Sequence, residues 1–426
     1  MVGINRKTQP NINLLDNFNF QVPDIYKLDN GIPVYQIRTG TQPITKIEFI
    51  FKAGGWFEKK PLVAKFTNKM LREGTRSFTS EKLHETIDFY GAHIETSLDK
   101  DMAYVVLYSL NKHLENILPV LVEVVLEPVF PEKELSIRIQ NKKQEFLINC
   151  EKVKYVARRK FSELIYGKSH PYGRFFDIED FDHLTNNDLK DFHALHYNIP
   201  ASSVIVAGNS PGTIISTLNR CFGNFERSPS KRTNDEADIQ PHKDHRVHII
   251  KDNNIQTAIR IGRIMVNKMH PDYLRLKVLN TILGGYFGSR LMTNIREEKG
   301  YTYGIGSSLV SMQNSGFFYI SSEVGSAVTD RAIDEIYLEI EKLQNELVSE
   351  EELNLVRNYM LGTFLRSLDG PFALSESYKS LIEYGLDSDY FKNYIGIIKS
   401  VTAEQIMELA RKYLDKNSLY ELKVGK

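Results

Sequence analysis

A short predicted helix in the first half of the chain turns three polar side chains toward one point. The segment PLVAKFTNKMLREGT covers residues 61–75, and within it Lys65, Asn68 and Lys69 follow the spacing i, i+3 and i+4. Side chains with that spacing share one face of a helix, so they can converge on a common ligand. A protonated lysine, however, has no lone pair to give to a metal. The spacing therefore suits a coordination site, whereas the residue types do not.

The second half contains another chemically distinctive segment, LGGYFGSRLMTNIREEKGYTYGIGSSL, at residues 283–309. Three glycines surround a turn that is predicted to open a helix: Gly284, Gly285 and Gly288. Gly300 ends that helix, so Arg296 falls in its last turn and Tyr303 on the strand that follows. A guanidinium and a phenol can both donate hydrogen bonds to a developing negative charge.

Composition and charge exclude several function classes. Lys+Arg and Asp+Glu number 54 each among 426 residues, so no net field directs the chain toward nucleic acid or an anionic membrane. Two cysteines are too few for a disulfide framework and fit a reducing compartment. The first residues contain no apolar signal region, and no phosphate-binding glycine loop is present. We expect a cytoplasmic protein, neither exported nor anchored, that binds no nucleotide.

The chain shows an internal duplication, because two halves carry the same order of predicted elements. Strand-like GIPVYQIRTG and KIEFIFKAGG precede the lysine helix, and RVHIIKDNN and TAIRIGRIMV precede a helix around YLRLKVLNTILGG. The stretch 226–244 is polar, lacks aromatic residues and is predicted to be a linker. We therefore expect two α+β domains, 1–225 and 245–426, each an antiparallel sheet with helices packed on one face.

Several segments of the first half resemble peptidase family M16, which includes pitrilysin, insulinase and mitochondrial processing peptidase. The resemblance lies in AGGWFEKKP and FTNKMLREGT, in GAHIETSLDKDMAYVVL, and in HPYG at 170–173. In that family an inverted motif, His-x-x-Glu-His, supplies two zinc ligands and a general base, and a glutamate about 75 residues later is the third ligand. Here Lys65, Asn68 and Lys69 occupy the motif positions, and Glu145 lies 76 positions after Lys69. The resemblance thus implies a degenerate zinc motif with one surviving ligand position.

The same resemblance implies a fold like that of mitochondrial processing peptidase, with repeats in a clam-shell arrangement. It also implies a role for Arg296 and Tyr303, which match a family pair that reaches across the closed shell to the zinc site. There the pair is thought to hold the substrate and the oxyanion. The glycines of the preceding loop would then lie beside the substrate.

The lysines at the degenerate motif admit two interpretations. In the first, Lys65 or Lys69 faces Glu145 and places an ammonium group where relatives hold zinc, which keeps a partly buried carboxylate paired. In the second, both lysines are solvated and Glu145 has no special role.

Three functional hypotheses follow. The chain is a non-catalytic subunit that completes the active site of a heteromeric zinc peptidase, with zinc held by a partner whose His-x-x-Glu-His motif is intact and with peptides or unfolded segments as substrates. Alternatively, it is a scaffold or peptide-binding protein that has lost all peptidase chemistry. The third hypothesis, a peptidase acting alone through an unconventional metal site, conflicts with the loss of all three motif residues. We expect no zinc in this chain and a zinc ion in the partner chain.

Overall fold

The structure is a computed structural model that describes residues 20–225, 237–252 and 254–426. Part of the expected linker 226–244, namely residues 226–236, lies outside the described residues. Helices and two separate β-sheets make up the described chain, which confirms the α+β class predicted from the sequence.

The first sheet has the spatial strand order β1-β2-β6-β3-β5-β4. Its strands, in chain order, are β1 (Asp24–Lys27), β2 (Pro33–Arg38), β3 (Ile44–Phe51), β4 (His93–Leu98), β5 (Ala103–Leu110) and β6 (Ser203–Gly208). The helices of this half are α1 (Val63–Met70), α2 (Ser80–Phe89), α3 (Leu114–Leu126), α4 (Glu132–Cys150), α5 (Val153–Tyr166), α6 (Asn186–His196) and α7 (Ile214–Phe222).

The second sheet has the order β7-β11-β8-β10-β9. Its strands are β7 (Arg246–Ile250), β8 (Gln256–Met265), β9 (Thr302–Met312), β10 (Ser315–Gly325) and β11 (Tyr420–Gly425). The helices of this half are α8 (Tyr273–Asn280), α9 (Thr329–Asn345), α10 (Glu350–Arg366), α11 (Gly370–Ile382), α12 (Asp389–Ser400) and α13 (Ala403–Tyr413).

The two sheets repeat one topology. Without the additional edge strand β1, the order β2-β6-β3-β5-β4 matches β7-β11-β8-β10-β9 strand for strand. Equivalent helices also begin alike: α6 and α13 each start with a capping box, from Thr185 with Asp188 and from Thr402 with Gln405. The expectation of antiparallel sheets was wrong for one strand pair in each sheet, because β2 pairs parallel with β6 and β7 pairs parallel with β11, whereas the other pairs are antiparallel. In each half the last strand returns after several helices and inserts beside the first strand of the repeat.

The expectation of helices on one face only was also wrong, because each half lends a helix to the other half's sheet. Helix α5 packs its apolar side chains on β8 and β11 of the second sheet, where Ala157 and Phe161 join a buried cluster with Leu422 and Val424. Helices α11 and α12 cover the outer face of the first sheet in a second cluster. That cluster includes Ile37, Ile50, Tyr104, Ile205, Leu374, Tyr378 and Phe391. Both sheets are therefore covered on two faces.

A buried ion-pair network crosses the same contact between the halves. Lys46 on β3 is 1% exposed and lies 2.7 Å from Glu48, which is equally buried. Lys379 of α11 lies 2.8 Å from the other oxygen of Glu48, and both lysines also pair with Glu376. Burial alone would lower the pKa of Lys46, but Glu48 and Glu376 outweigh it and raise the pKa above its usual value. Each buried charge in the network thus has an opposite charge beside it.

The HPYG segment at 170–173 fastens the halves at another point. The Tyr172 hydroxyl donates to Asp101 at 2.6 Å and accepts from the backbone N–H of Asn314 at 3.2 Å. The second oxygen of Asp101 accepts from the N–H of Gln313 at 2.9 Å, so the turn between β9 and β10 is held by the first half. The halves therefore pack directly on each other, and a clam-shell chamber remains an expectation for a pair of chains.

Among residues 20–225, 237–252 and 254–426, none of the helices combines the length and apolar character that crossing a bilayer requires.

We predict that Lys46→Met lowers the free energy of unfolding by about 3 kcal/mol, because it leaves Glu48 buried with only one cation. Urea unfolding followed by circular dichroism measures the change. Glu376→Gln is the control, since the Glu376 side chain is 52% exposed and its pairs should contribute about 1 kcal/mol or less. Equal losses in the two variants would show that burial of the network does not hold the halves together.

Candidate functional site

Helix α1, which carries the degenerate motif, is short and firmly seated. Val63, Ala64, Phe66 and Met70 are buried, so most of its surface belongs to the first core. Its first turn is fixed by a carboxylate, because Glu58 Oε2 accepts from the N–H of Ala64 at 3.1 Å. The burial and this cap fix the direction in which residues 65, 68 and 69 point.

Asn68, at the position of the family's general base, is completely buried. Its Nδ2 donates to the carbonyl of Tyr104 at 3.4 Å and to the hydroxyl of Tyr197 at 3.2 Å. Its Oδ1 has no hydrogen-bond partner among the described residues. An amide oxygen cannot take a proton from water at neutral pH, so this position contributes no general base.

Lys69 points to the edge of the first sheet rather than to a shared ligand. Its ammonium group donates to the backbone carbonyl of Thr96 on β4. Burial, followed by the nearby Arg72 and Arg138, lowers the pKa of Lys69. Arg72, one turn further along the chain, donates in the same way to the carbonyl of Ile94. This side of α1 therefore binds the backbone of β4.

Lys65 and Glu145 do not form the expected pair. The Glu145 side chain is 55% exposed and forms an ion pair with Lys142, three residues earlier on α4. The hydrogen bond from Lys142 lowers the pKa of Glu145. The Lys65 ammonium lies 5.5 Å from the centre of the Phe176 ring. Burial and, after it, the charge of Lys142 lower the pKa of Lys65. The charge of Glu145 raises this pKa by a smaller amount. Glu145 thus pairs with Lys142 on its own helix, α4, and not with Lys65.

These residues do not fit a zinc ion. Zinc in proteins needs thiolate, imidazole or carboxylate ligands, whereas α1 presents two ammonium groups and a buried amide. Within the described part of the chain, no three histidine, cysteine, aspartate or glutamate side chains come together as a metal site would need.

In the second half, the glycine-rich loop is held against β9. Helix α8 continues into a π-helical turn, Thr281–Gly285, in which a side chain on Gly284 would come within 2.6 Å of the Ser307 backbone nitrogen. A Cβ on Gly288 would lie 2.9 Å from the Tyr286 ring, and one on Gly285 3.0 Å from the Asn280 amide nitrogen. Close packing against the backbone of β9 therefore requires Gly284, whereas a side chain at Gly285 or Gly288 would require Asn280 or Tyr286 to shift.

Arg296 is oriented by two contacts within this half. It lies in a second π-helical segment, Met292–Glu298, and its Nε donates to the carbonyl of Tyr303 at 3.1 Å. Its guanidinium carbon lies 4.6 Å from the centre of the Phe287 ring, within the range of a cation–π contact. One end of the guanidinium also lies 3.6 Å from Glu297.

Tyr303 follows on β9, and its side chain is 95% exposed. Among the described residues, none donates to or accepts from its hydroxyl. Phe287 beside it is 62% exposed. The structure thus brings Arg296 and Tyr303 together, with a phenol directed into solvent.

The loop is also tied to α10 from behind. Arg290 forms a bidentate pair with Glu352, with nitrogen–oxygen distances of 2.9 and 2.8 Å. Such forked pairs fix orientation as well as adding stability.

Two residues of this site were missed by sequence reasoning. Arg72 follows the last residue of α1 by two positions, and only its contact with the carbonyl of Ile94 shows its role. Phe287 stands between two glycines of the loop, and only its contact with Arg296 shows its role.

Comparison with family models identifies both halves. A model described as insulinase (peptidase family M16) matches residues 34–166. A second model, described as the peptidase M16 inactive domain, matches residues 183–360. Together they span most of the chain.

Curated relatives match nearly the full length. A protein from Rickettsia felis named an uncharacterized zinc protease is 25% identical over 402 residues, covering 92% of this chain and 91% of its own. A Bacillus subtilis protein with a similar name, YmxG, is 22% identical and covers 91% and 94%. Another B. subtilis protein, YmfF, named a probable inactive metalloprotease, is 23% identical and covers 70% and 71%.

Solved structures share the fold. The peptidase M16 inactive domain from Pseudomonas fluorescens superposes with a TM-score of 0.84 at 24% identity, covering 95% of this chain and 98% of its own. A protease from Helicobacter pylori gives the same TM-score at 17% identity and covers 95% and 100%. The repeated topology, the family models and the near-complete relatives agree, and this chain belongs to peptidase family M16.

Proposed function

We propose that this chain is a non-catalytic subunit that completes the active site of a heteromeric zinc peptidase. The observation that carries the proposal is the contrast between the two sites of the chain. At α1, Asn68 and Lys69 are bound to the chain's own backbone. In the second half, Arg296 is oriented and the Tyr303 hydroxyl is free to bind another molecule.

The proposed partner is an M16 chain with an intact His-x-x-Glu-His motif, and the complex is a heterodimer. Zinc bound in that motif would polarise the scissile carbonyl and the attacking water. Arg296 and Tyr303 would donate hydrogen bonds to the substrate carbonyl as it becomes an oxyanion. Neither group accepts a proton from water at neutral pH, so both complement a general base that the partner provides. Peptides or unfolded segments are the proposed substrates.

Rigid support within this chain favours this role. Phe287 and the Tyr303 carbonyl fix the guanidinium, and we propose that the loop with Gly284, Gly285 and Gly288 lies beside the substrate. Donors that are oriented before the reaction stabilise an oxyanion without a further cost of ordering. We further propose a bacterial, cytoplasmic protein with domains 1–225 and 245–426, in keeping with its bacterial relatives.

A scaffold or peptide-binding protein is the second candidate. It is favoured by the inactive-domain model, and by the relative named a probable inactive metalloprotease. A scaffold would not need the Arg296 and Tyr303 pair, so variants of the pair distinguish the two functions.

The first prediction concerns metal binding. The wild-type chain, purified alone, should contain no stoichiometric zinc by elemental analysis. The variant with Lys65→His, Asn68→Glu and Lys69→His should bind zinc weakly, because Lys142 still occupies Glu145. Adding Lys142→Ala should tighten binding by about tenfold, as measured by competition with a chromogenic chelator.

Lys143→Ala is a matched control for this series, since Lys143 pairs with Asp182 rather than with Glu145. If the fourfold variant binds zinc no better than the threefold variant, Glu145 is not a ligand position. About one zinc per wild-type chain would contradict the absence of a metal site.

The second prediction concerns turnover in a mixture of this chain with its zinc-bearing partner, encoded in the same genome. Only the mixture should cleave peptides. Arg296→Ala and Tyr303→Phe should each leave assembly intact and lower kcat by about 100- to 1,000-fold, because each removes one donor to the oxyanion. Phe287→Leu should lower kcat less, since it only loosens Arg296.

Arg290→Ala is the structural control, because it breaks the pair with Glu352 behind the loop. It should lower thermal stability while kcat per folded complex stays near the wild-type value. Wild-type turnover in a normally assembled complex of the Arg296→Ala, Tyr303→Phe double variant would establish the scaffold function instead.

A further inference from the structure

The strand β4 forms one edge of the first sheet, so one side of its backbone pairs with no strand of the sheet. Among the strands that the structure describes, it pairs only with β5, from His93 opposite Tyr108 to Leu98 opposite Ala103. The hairpin closes with a bond from the N–H of Asp99 to the carbonyl of Met102. In an antiparallel pair, residues whose backbone groups bond to the partner strand alternate with residues whose backbone groups point away from it. The bond at Asp99 fixes which residues of β4 belong to each set.

The alternation places the backbone groups of residues 93, 95 and 97 toward β5. Those of Ile94, Thr96 and Leu98 therefore point outward, where an added strand would bind. An exposed edge of this kind is a general acceptor for extended peptides, which pair through the outward carbonyls and N–H groups.

Two of these three outward carbonyls, those of Ile94 and Thr96, are already occupied. Lys69 donates to the carbonyl of Thr96, and Arg72 donates to the carbonyl of Ile94. Lys69 lies in the last turn of α1 and Arg72 just after the end of that helix, and both side chains reach β4. A peptide strand would have to displace two charge-assisted hydrogen bonds before it could pair with β4.

The strand itself has one buried and one exposed face. Ile94 and Thr96 are buried, whereas the side chains of His93, Glu95 and Ser97 are exposed, and the strand contains no proline. The polar groups that cover the outward carbonyls are therefore Lys69 of the motif helix and Arg72 of the turn that follows it.

We infer that Lys69 and Arg72 close the edge of the first sheet to added peptide strands. This inference does not depend on the proposed function, because it holds equally for a scaffold. If the chain does serve a zinc-bearing partner, the peptide substrate pairs as an added strand with a surface other than β4.

Hydrogen–deuterium exchange with the full-length chain tests the inference. The probe is a blocked octapeptide of alternating threonine and valine with a lysine at each end, added in excess. In wild type it should leave exchange in residues 93–98 unchanged. In the Lys69→Met, Arg72→Met variant it should slow exchange of the outward amides of Ile94 and Thr96 by about tenfold or more, because an added strand takes up those N–H groups.

Two controls isolate the donors from their surroundings. Lys65→Met lies on the same helix but does not bond to β4, so it should behave as wild type. The exchanged pair Lys69→Arg, Arg72→Lys keeps both donors and should also remain closed. If the double methionine variant does not fold, Lys69→Met alone should give protection at Thr96.

Protection of residues 93–98 in the wild-type chain would overturn the inference. So would a folded methionine variant that gains no protection from the peptide. Neither result depends on a partner chain or on peptidase activity, so a failure here is distinct from a failure of the proposed function.

Discussion

Each sheet of this protein has a second apolar face that the helices of its own half leave uncovered, and the rest of the structure depends on how those faces are buried. A sheet with such a face exposed would associate with other molecules. In this chain each half covers the exposed sheet face of the other half. Helix α5 covers the second sheet, and α11 and α12 cover the first. The buried network around Lys46 and Glu48 forms within that contact. The two halves are consequently fixed relative to each other.

That fixed relation separates two sites with opposite properties. On α1, the positions of the family's zinc motif hold hydrogen-bond donors. Asn68 and Lys69 each donate to a backbone carbonyl of this chain. On β9 and the segment before it, Arg296 and Tyr303 are also donors, but the tyrosine hydroxyl faces solvent. Donors turned inward stabilise the fold, whereas oriented donors turned outward can stabilise charge on another molecule. Under the proposed function, the chemistry of this chain therefore lies in its second half.

Much of this was predictable from the sequence, because alternation, glycine positions and helix spacing are local. The duplication was visible in the order of elements, and the glycines correctly placed Arg296 near Tyr303. The exchange of helices was not found, although β3 and β6 gave a signal: their runs IEFIF and SVIVAG are almost continuously apolar, as in strands buried on both faces. Periodicity shows that a helix has an apolar face but does not identify the sheet it covers. Of the two interpretations of Glu145, the pair with Lys65 or Lys69 does not form, because Lys142, three residues away on the same helix, competes at lower entropic cost.

A photo-crosslink from position 303 would test most directly whether this chain reaches a partner's zinc site. Tyr303 would be replaced by benzoylphenylalanine, which retains an aromatic ring at a position that is 95% exposed. The complex with the zinc-bearing M16 chain would be irradiated, and the crosslinked peptides mapped by mass spectrometry. The proposed function predicts a crosslink to the partner's helix that contains His-x-x-Glu-His. A complex that assembles normally but crosslinks elsewhere, or not at all, would contradict it.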